Sequence, residues 1–300
     1  MRKFKIFIDS CGEMAKEMRD AHGVLFVPMT LTINEKGGIK EIPALVDYDG
    51  EYDFKGFYDA MRNGTRFKTA AVNEAEFAPY FEKVLEEGFD ILYLACSSGL
   101  SISVNNAAKL GKKLEEKYPG SAVVAVDTLI SGFPIADMAI LADNLMKEGK
   151  GVREVAEVIE GRKAKYNQFA TVESLNYLKD AGRVTASSAF FGNLFNIKPI
   201  IISDAKGHNV AMKKMKGRRA ALDEIVRLSV EAAEDIENQT VYISHGDCLE
   251  DAEYLKAKLL EVAKPKEVII GKVGPIIGAS SGPGCIIMYV YGKEVTYVGE

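Results

Sequence analysis

The sequence has few cysteines, no excess of positive charge and no long hydrophobic run. Its cysteines, Cys11, Cys96, Cys248 and Cys285, form no C-x-x-C pair, which disfavours a zinc site and gives no disulfide framework. The formal net charge of −5 argues against a general nucleic-acid binder, because neutralising phosphates requires concentrated lysine and arginine. No apolar stretch reaches the roughly 18 residues of a membrane helix. We therefore expect no nucleic-acid partner and no stable membrane insertion.

The start of the chain also lacks the features of a secretory signal. The apolar run that begins at Phe4 is too short for a signal peptide, so we expect a cytoplasmic protein. The 300 residues, 47% of them hydrophobic, can bury a substantial core. This length favours two domains over one large domain.

Short apolar strands alternate with amphipathic helices along most of the chain. In the first half, strands predicted at 91–95 and 122–126 flank a helix, and crossovers of this length predict a mainly parallel sheet. In the second half, 197–202 and 210–215 predict a hairpin, and 239–271 predicts a βαβ unit. We predict an α/β fold with an N-terminal, mainly parallel Rossmann-like domain over 1–160 and a C-terminal domain with a mixed sheet over 161–300.

A strand that ends in a cluster of hydroxyls is the first candidate site. Ser97, Ser98, Ser101 and Ser103 lie within seven residues, and a helical pattern follows them. Ligands of open α/β sheets bind outside the carboxyl ends of strands, where helix N-termini offer free N–H groups, so this turn suits an anionic head group. The alternative is that these serines only cap a helix.

The glycine-rich stretch 274–284 is the second candidate site. Its glycines allow close approach of the backbone to a ligand, and Ser280 and Ser281 add hydroxyls. The glycine spacing does not fit a dinucleotide fingerprint, and no Gly-Lys-Ser/Thr ending marks a phosphate loop. A plain glycine-rich connector is the alternative.

An enzymatic interpretation requires a base, and the chain has three histidines. Ser98 with His245 and Asp247 is a conceivable triad for a hydrolase or transferase acting on a small acyl ligand, since triads are defined by geometry. No G-x-S-x-G elbow supports this alternative. His245, Asp247 and Glu250 lack further metal ligands at suitable spacing. We therefore expect neither a catalytic residue nor a metal site.

A series of short motifs, in a specific order along the whole chain, resembles the DegV family of fatty-acid-binding proteins. This family includes the lipid-carrying subunits of bacterial fatty acid kinase. The motifs are Asp9-Ser10, Val27–Thr32, Lys68-Thr69, Ser97–Ser101, Val126-Asp127, Gly182-Arg183, Asn196–Pro199, Lys216–Arg218, Ile243–His245, Gly274–Gly278 and Gly282–Gly284.

The resemblance implies that one long-chain fatty acid is buried in a slot between two α/β domains. Carried over by position, the carboxylate-binding residues are Thr69, Ser97, Ser98 and Ser280. Arg183 and Ser281 would face the head group or a partner, although a solvated helix-end cation is the alternative for Arg183. The candidates for lining the acyl chain are Ile276, Ile277, Phe190, Phe191 and Leu194, with ordinary core packing as their alternative.

The resemblance also implies a carrier that is not itself an enzyme and needs no cofactor. It would present the carboxyl group of its fatty acid to a separate fatty acid kinase subunit. The chain departs from the family's usual motifs at Ala70, Ala71 and Val72, where Ser-Gln-Pro is common, and at Ser280, where histidine is usual. The head-group cradle that results is made of neutral hydroxyls.

Overall fold

The computed structural model of the protein describes residues 2–35, 38–185 and 196–299. Within these residues the strands are β1 (Phe4–Asp9), β2 (Val24–Val27), β3 (Thr30–Glu35), β4 (Gly38–Pro43), β5 (Phe67–Ala70), β6 (Asp90–Ala95), β7 (Val123–Asp127), β8 (Tyr166–Thr171), β9 (Ile197–Ser203), β10 (Asn209–Lys216), β11 (Thr240–His245), β12 (Glu267–Lys272) and β13 (Ile286–Tyr291). The helices are α1 (Lys16–Ala21), α2 (Phe54–Arg62), α3 (Glu74–Glu86), α4 (Ser103–Lys117), α5 (Phe133–Lys147), α6 (Val152–Glu160), α7 (Asn176–Ala181), α8 (Arg218–Ala232), α9 (Leu249–Val262) and α10 (Pro275–Ser281). No helix in this described part is long and apolar enough to cross a membrane.

The N-terminal part forms the predicted parallel sheet, with strand order β2-β1-β6-β7. The central strand β6 is buried along its whole length, which is why its sequence is a nearly continuous apolar run. The helices between these strands begin and end at recognisable signals. For example, the sequence pattern of Asn73 and Glu76 predicts a capping box, and these two residues form it at the start of α3.

A second, three-stranded antiparallel sheet has the order β4-β3-β5 and does not follow from the sequence pattern. The apolar run over 24–33 predicts a single strand. The chain instead forms β2 and β3 in different sheets, separated by Pro28 and Met29, since proline cannot donate to a strand ladder. The polar sequence over 39–56 predicts an exposed segment, and the side chains of β4 are largely exposed. For this reason β4 carries no hydrophobic alternation that would reveal a strand.

The C-terminal part forms a six-stranded sheet with the order β10-β9-β8-β13-β11-β12. Only β11 and β12 pair in parallel, so the sheet is mixed as predicted. The predicted hairpin over 197–215 corresponds to β9 and β10.

Two hydrophobic cores cover the two faces of the six-stranded sheet. On one face, α8 and α9 pack with residues such as Ile200 and Leu255. On the other face, the larger core joins the sheet to the N-terminal part and includes both Ile6 and Ile287. The predicted boundary at residue 160 is the last residue of α6. The division into two domains stays a prediction, because the larger core continues across this boundary.

Candidate ligand-binding cavity

A cavity lies between the six-stranded sheet and the N-terminal part of the chain. It encloses about 770 Å³ of space, including the part that opens to solvent. Its wall is mainly apolar, with Met29 and Leu100 on the N-terminal side and Ile201 and Ile287 on the C-terminal side. The predicted lining residues Ile276 and Ile277 contribute from α10. The other three predictions, Phe190, Phe191 and Leu194, lie outside the described residues.

Thr69 and Ser280 bring hydroxyls to this wall. Thr69 lies on β5 opposite Leu31, whose side chain is buried, and directly opposed residues share a face of the sheet. Ser280 lies in the last turn of α10, and α10 packs against both β5 and α7. Within the described residues neither hydroxyl has a hydrogen-bond partner. Both hydroxyls can therefore donate to a ligand oxygen.

Ser97 and Ser98, the other two predicted carboxylate ligands, do not line the cavity. Ser97 is fully buried, and its hydroxyl donates to the carbonyl oxygen of Gly207, 2.8 Å away. Ser98 is exposed, and its backbone N–H donates to Oδ1 of Asp127. The turn after β6 therefore docks on the β9–β10 turn through Ser97, and neither serine lines the cavity.

The same turn instead places Leu100 and Ser101 on the cavity wall. The Ser101 hydroxyl lies 2.9 Å from the hydroxyl of Ser103, which accepts a hydrogen bond from the Val72 backbone. The density of serines pointed to this turn. Which serine faces the cavity depends on contacts that sequence alone does not show.

Arg183 lies at the exposed edge of the cavity. It follows Gly182, which ends α7 in the left-handed conformation with φ of 65°, as the sequence predicts for a C-terminal cap. The Arg183 guanidinium donates to the carbonyl oxygens of Ala181 and, at 3.4 Å, Leu100. The guanidinium is thus held beside the wall that carries Ser101.

Ser281, expected to face the head group or a partner, lines the cavity wall. It is 6% exposed, and its hydroxyl donates to the carbonyl oxygen of Ile277 one helical turn earlier.

The glycines of the same stretch are expected to let the backbone approach a ligand, and the structure shows a packing role for two of them. A side chain at Gly278 would collide with Tyr58, and one at Gly282 with Tyr177, so these glycines let α10 pack tightly against α2 and α7.

The sequence matches the model of the family described as "Uncharacterised protein, DegV family" over residues 3–292. The chain belongs to the DegV family. A DegV domain-containing protein of Clostridium perfringens is 32% identical to it over 294 residues, which cover 97% of this chain and 98% of that protein.

Solved structures of DegV proteins have the same fold. A DegV family protein of Thermus thermophilus, described as fatty acid binding, is 26% identical, with a TM-score of 0.83 over 98% of this chain and 100% of that one. A DegV family protein of Eubacterium eligens loaded with heptadecanoic acid is 22% identical, with a TM-score of 0.79 over 97% of this chain and 100% of that one. The predicted α/β fold is confirmed.

Three of the four cysteines of this DegV chain, Cys11, Cys96 and Cys285, are buried and line the cavity. Burial raises the pKa of the Cys285 thiol to about 12. A hydrogen bond with Cys96, together with burial, raises the pKa of the Cys11 thiol well above its ordinary value. These two thiols are therefore neutral near pH 7 and act as small apolar groups.

The described residues of this DegV structure do not form the triad that the enzymatic alternative requires. The Nδ1 atom of His245 accepts a hydrogen bond from the backbone of Cys248, and its ring packs edge-on against Phe54. Burial lowers the pKa of His245. No hydrogen bond in the described part of the chain joins His245 to Ser98. Those same residues contain no group of three or more His, Cys, Asp or Glu placed to hold a metal ion.

Proposed function

We propose that this DegV protein binds one long-chain fatty acid in the cavity, with the carboxylate at the hydroxyls of Thr69, Ser101 and Ser280. The observation that carries the proposal is an apolar cavity with the unpartnered hydroxyls of Thr69 and Ser280 on its wall and the Arg183 cation at its edge. Such a site matches a molecule with a long hydrocarbon tail and a single anionic end.

The tail supplies most of the binding free energy. Burying one methylene group contributes about 0.8 kcal/mol, so a chain of about sixteen carbons gains on the order of 12 kcal/mol before ordering costs are subtracted. The apolar wall makes this gain available, and the two neutral thiols of Cys11 and Cys285 add no charge that would oppose it.

The head group determines the orientation of the ligand. A buried carboxylate without partners is costly, and the hydroxyls of Thr69 and Ser280 reduce that cost by donating hydrogen bonds. Because Ser280 is neutral, Arg183 supplies a positive charge that can face the ligand carboxylate. A guanidinium pairs well with a carboxylate and with a phosphate. The description of the Thermus thermophilus relative as fatty acid binding supports the same ligand class.

Mass spectrometry of lipids extracted from the purified protein tests this proposal. We expect a fatty acid at a ratio approaching one per chain. The variant Ala71→Phe places a ring on the cavity wall and should carry much less lipid, whereas Ala70→Phe, at the exposed neighbouring position, should carry as much as the wild type. A folded wild-type protein without fatty acid, or equal loading of the two variants, would contradict the proposal.

We further propose that the protein is a carrier and not the catalyst, and that it presents the carboxyl group to a separate kinase subunit. Holding the carboxyl group at a fixed place beside Arg183 would contribute to the reaction by proximity. The kinase subunit would supply the nucleotide and metal. The resemblance to fatty acid kinase subunits and the exposed position of Arg183 support this part of the proposal.

Acyl phosphate formation from bound fatty acid and Mg-ATP, trapped with hydroxylamine, tests the division of labour. We expect product when the loaded protein is combined with a cell extract of its source organism, and none with the loaded protein alone. Product from the protein alone would show that it is an enzyme. Absence of additional product in the combined sample would argue against a kinase partner.

A further inference from the structure

The cavity wall has a second polar region, the inner polar patch, formed by Ser131, Gln168 and Asn209. Gln168 is 5% exposed and Ser131 is 7% exposed. The side-chain Nε2 of Gln168 donates to Oδ1 of Asn209, 2.7 Å away. Across residues 2–35, 38–185 and 196–299, the Gln168 amide has no other hydrogen-bond partner, and the Ser131 hydroxyl has none. The patch therefore retains unfilled hydrogen-bonding capacity on a largely apolar wall.

The side chain of Tyr289 links the strand that carries Gln168 to the segment that carries Ser131. Gln168 lies directly opposite Tyr289 in the β8–β13 ladder, so the two side chains share a face of the sheet. The hydroxyl end of Tyr289 is so close to Gly132 that a side chain at Gly132 would collide with it. Ser131 precedes Gly132 in the chain and lines the same cavity as Gln168.

The inner polar patch is separate from the hydroxyls of α10. The cavity wall includes every second residue from β8 to the position that follows it: Gln168, Ala170 and Val172. Four residues of extended chain span about 13 Å from Gln168 to Val172. Glu173, next to Val172, packs against Gly284 just beyond α10, which carries Ser280. Gln168 thus lies on the order of 13 Å along the wall from Val172, the end of this row that is nearer to α10.

The chemistry of the patch does not match a plain hydrocarbon chain. A saturated tail would cover the Gln168 amide and the Ser131 hydroxyl without satisfying them, and a buried polar group left unsatisfied is costly. A hydroxyl group can donate to the Gln168 carbonyl oxygen and accept from the Asn209 amide or from Ser131. None of the three side chains is charged, so the patch suits a neutral oxygen and not a second carboxylate.

Building on the proposed function, we propose that the preferred ligand is a long-chain fatty acid with a hydroxyl group near the middle of its chain. The carboxylate binds at Thr69 and Ser280, and the inner polar patch binds the hydroxyl group. The patch thereby selects oxygenated acyl chains over plain ones.

The binding of three acids to delipidated wild-type protein tests this inference. The acids are octadecanoic acid, its derivative hydroxylated at mid-chain, and its derivative hydroxylated beside the carboxyl group. We expect the mid-chain derivative to bind about tenfold more tightly than octadecanoic acid. The isomer hydroxylated beside the carboxyl group should show no such gain, because its hydroxyl lies far from the patch.

Substitutions in the inner polar patch should remove the preference for the hydroxylated acid and leave the binding of octadecanoic acid intact. The double variant Gln168→Met with Ser131→Ala should bring the affinity ratio of the two acids to one or below, with octadecanoic acid bound at least as well as by wild type. Ser131→Ala alone, a milder change, should lower the ratio in part. Ser98→Ala, at an exposed serine outside the cavity, should leave the ratio unchanged.

The outcomes separate this inference from the proposed function. If octadecanoic acid binds as tightly as the mid-chain derivative, the inference fails and fatty acid binding stands. If the double variant loses affinity for octadecanoic acid, the patch holds the carboxylate and the inference is overturned. If none of the three acids binds to the folded wild type, the proposed function itself fails.

Discussion

The hydroxyl of Ser97 donates a hydrogen bond to the carbonyl oxygen of Gly207, 2.8 Å away, and accepts one from the backbone of Gly99. This contact joins the turn after β6 to the turn between β9 and β10. A side chain at Gly99 would collide with the Gly207 carbonyl, so the two turns are packed tightly against each other. The conspicuous serine of this turn therefore links two parts of the fold.

We predict that Ser97→Ala lowers the free energy of unfolding by about 1–2 kcal/mol, because it leaves the buried Gly207 carbonyl without its donor. The affinity for fatty acid should change by less than about twofold, since Ser97 does not line the cavity. Urea denaturation and fatty-acid titration measure the two effects. A large loss of affinity at unchanged stability would instead make Ser97 a ligand-binding residue.

The double variant Thr69→Val with Ser280→Ala should lower the affinity for hexadecanoic acid by about tenfold or more. Valine keeps the shape of threonine, so the change removes hydroxyl donors with little effect on packing. Displacement of a fluorescent fatty acid measures the affinity. The control Ser98→Ala removes an exposed hydroxyl outside the cavity and should have no effect; equal losses in both proteins would count against Thr69 and Ser280 as head-group ligands.

Arg183→Met should weaken the binding of hexadecanoic acid by several-fold and leave the binding of hexadecanol nearly unchanged. The reason is that Arg183 acts on the charge of the head group, while methionine keeps the apolar stem that contacts the wall. The effect should be moderate, because Arg183 is exposed and solvent screens its charge. Competition titrations with the acid and the alcohol provide the comparison. Parallel losses for both ligands would mean that Arg183 contributes packing and not charge.

Glu13 is a buried carboxyl group that joins the N-terminal part to the six-stranded sheet. It accepts hydrogen bonds from the Ser244 hydroxyl at 2.6 Å and from the Gly274 backbone at 3.0 Å. Burial raises the pKa of Glu13 from its ordinary 4.5 to about 7. Between these two values the folded protein binds more protons than the unfolded chain, so stability from this group is present below pH 4.5 and is lost as the pH rises toward 7.

Glu13→Gln should therefore flatten the dependence of stability on pH. Between about pH 5 and about pH 8, the free energy of unfolding should fall by on the order of 3 kcal/mol more in the wild type than in the variant, because each unit of pKa corresponds to about 1.4 kcal/mol. Urea denaturation across this range measures the difference. Glu17→Gln removes one carboxylate at an exposed position and serves as the control. If the free energy of unfolding depends on pH in the same way in the wild type and in Glu13→Gln, then Glu13 titrates at its ordinary value.

Local sequence signals predicted the parts of the fold that depend on near neighbours. The capping box of Asn73 and Glu76 and the left-handed cap at Gly182 were predicted because a helix end is specified within a few residues. The helix α10 was missed, since its glycines, such as Gly278, disfavour a helix locally. Packing against Tyr58, more than two hundred positions earlier in the chain, overrides that preference.

The sequence by itself determined the alternation of strands and helices, the parallel and the mixed sheet, and the turns that carry serines and glycines, because hydrophobic periodicity and turn chemistry act over short distances. Only the tertiary structure decided which side chain of each turn faces the cavity. Ser101 lines it and Ser97 does not. Ser131, from the loop between β7 and α5, and Gln168, from β8, line the same cavity. Such choices depend on contacts between segments more than thirty residues apart, whose relative position no local pattern specifies.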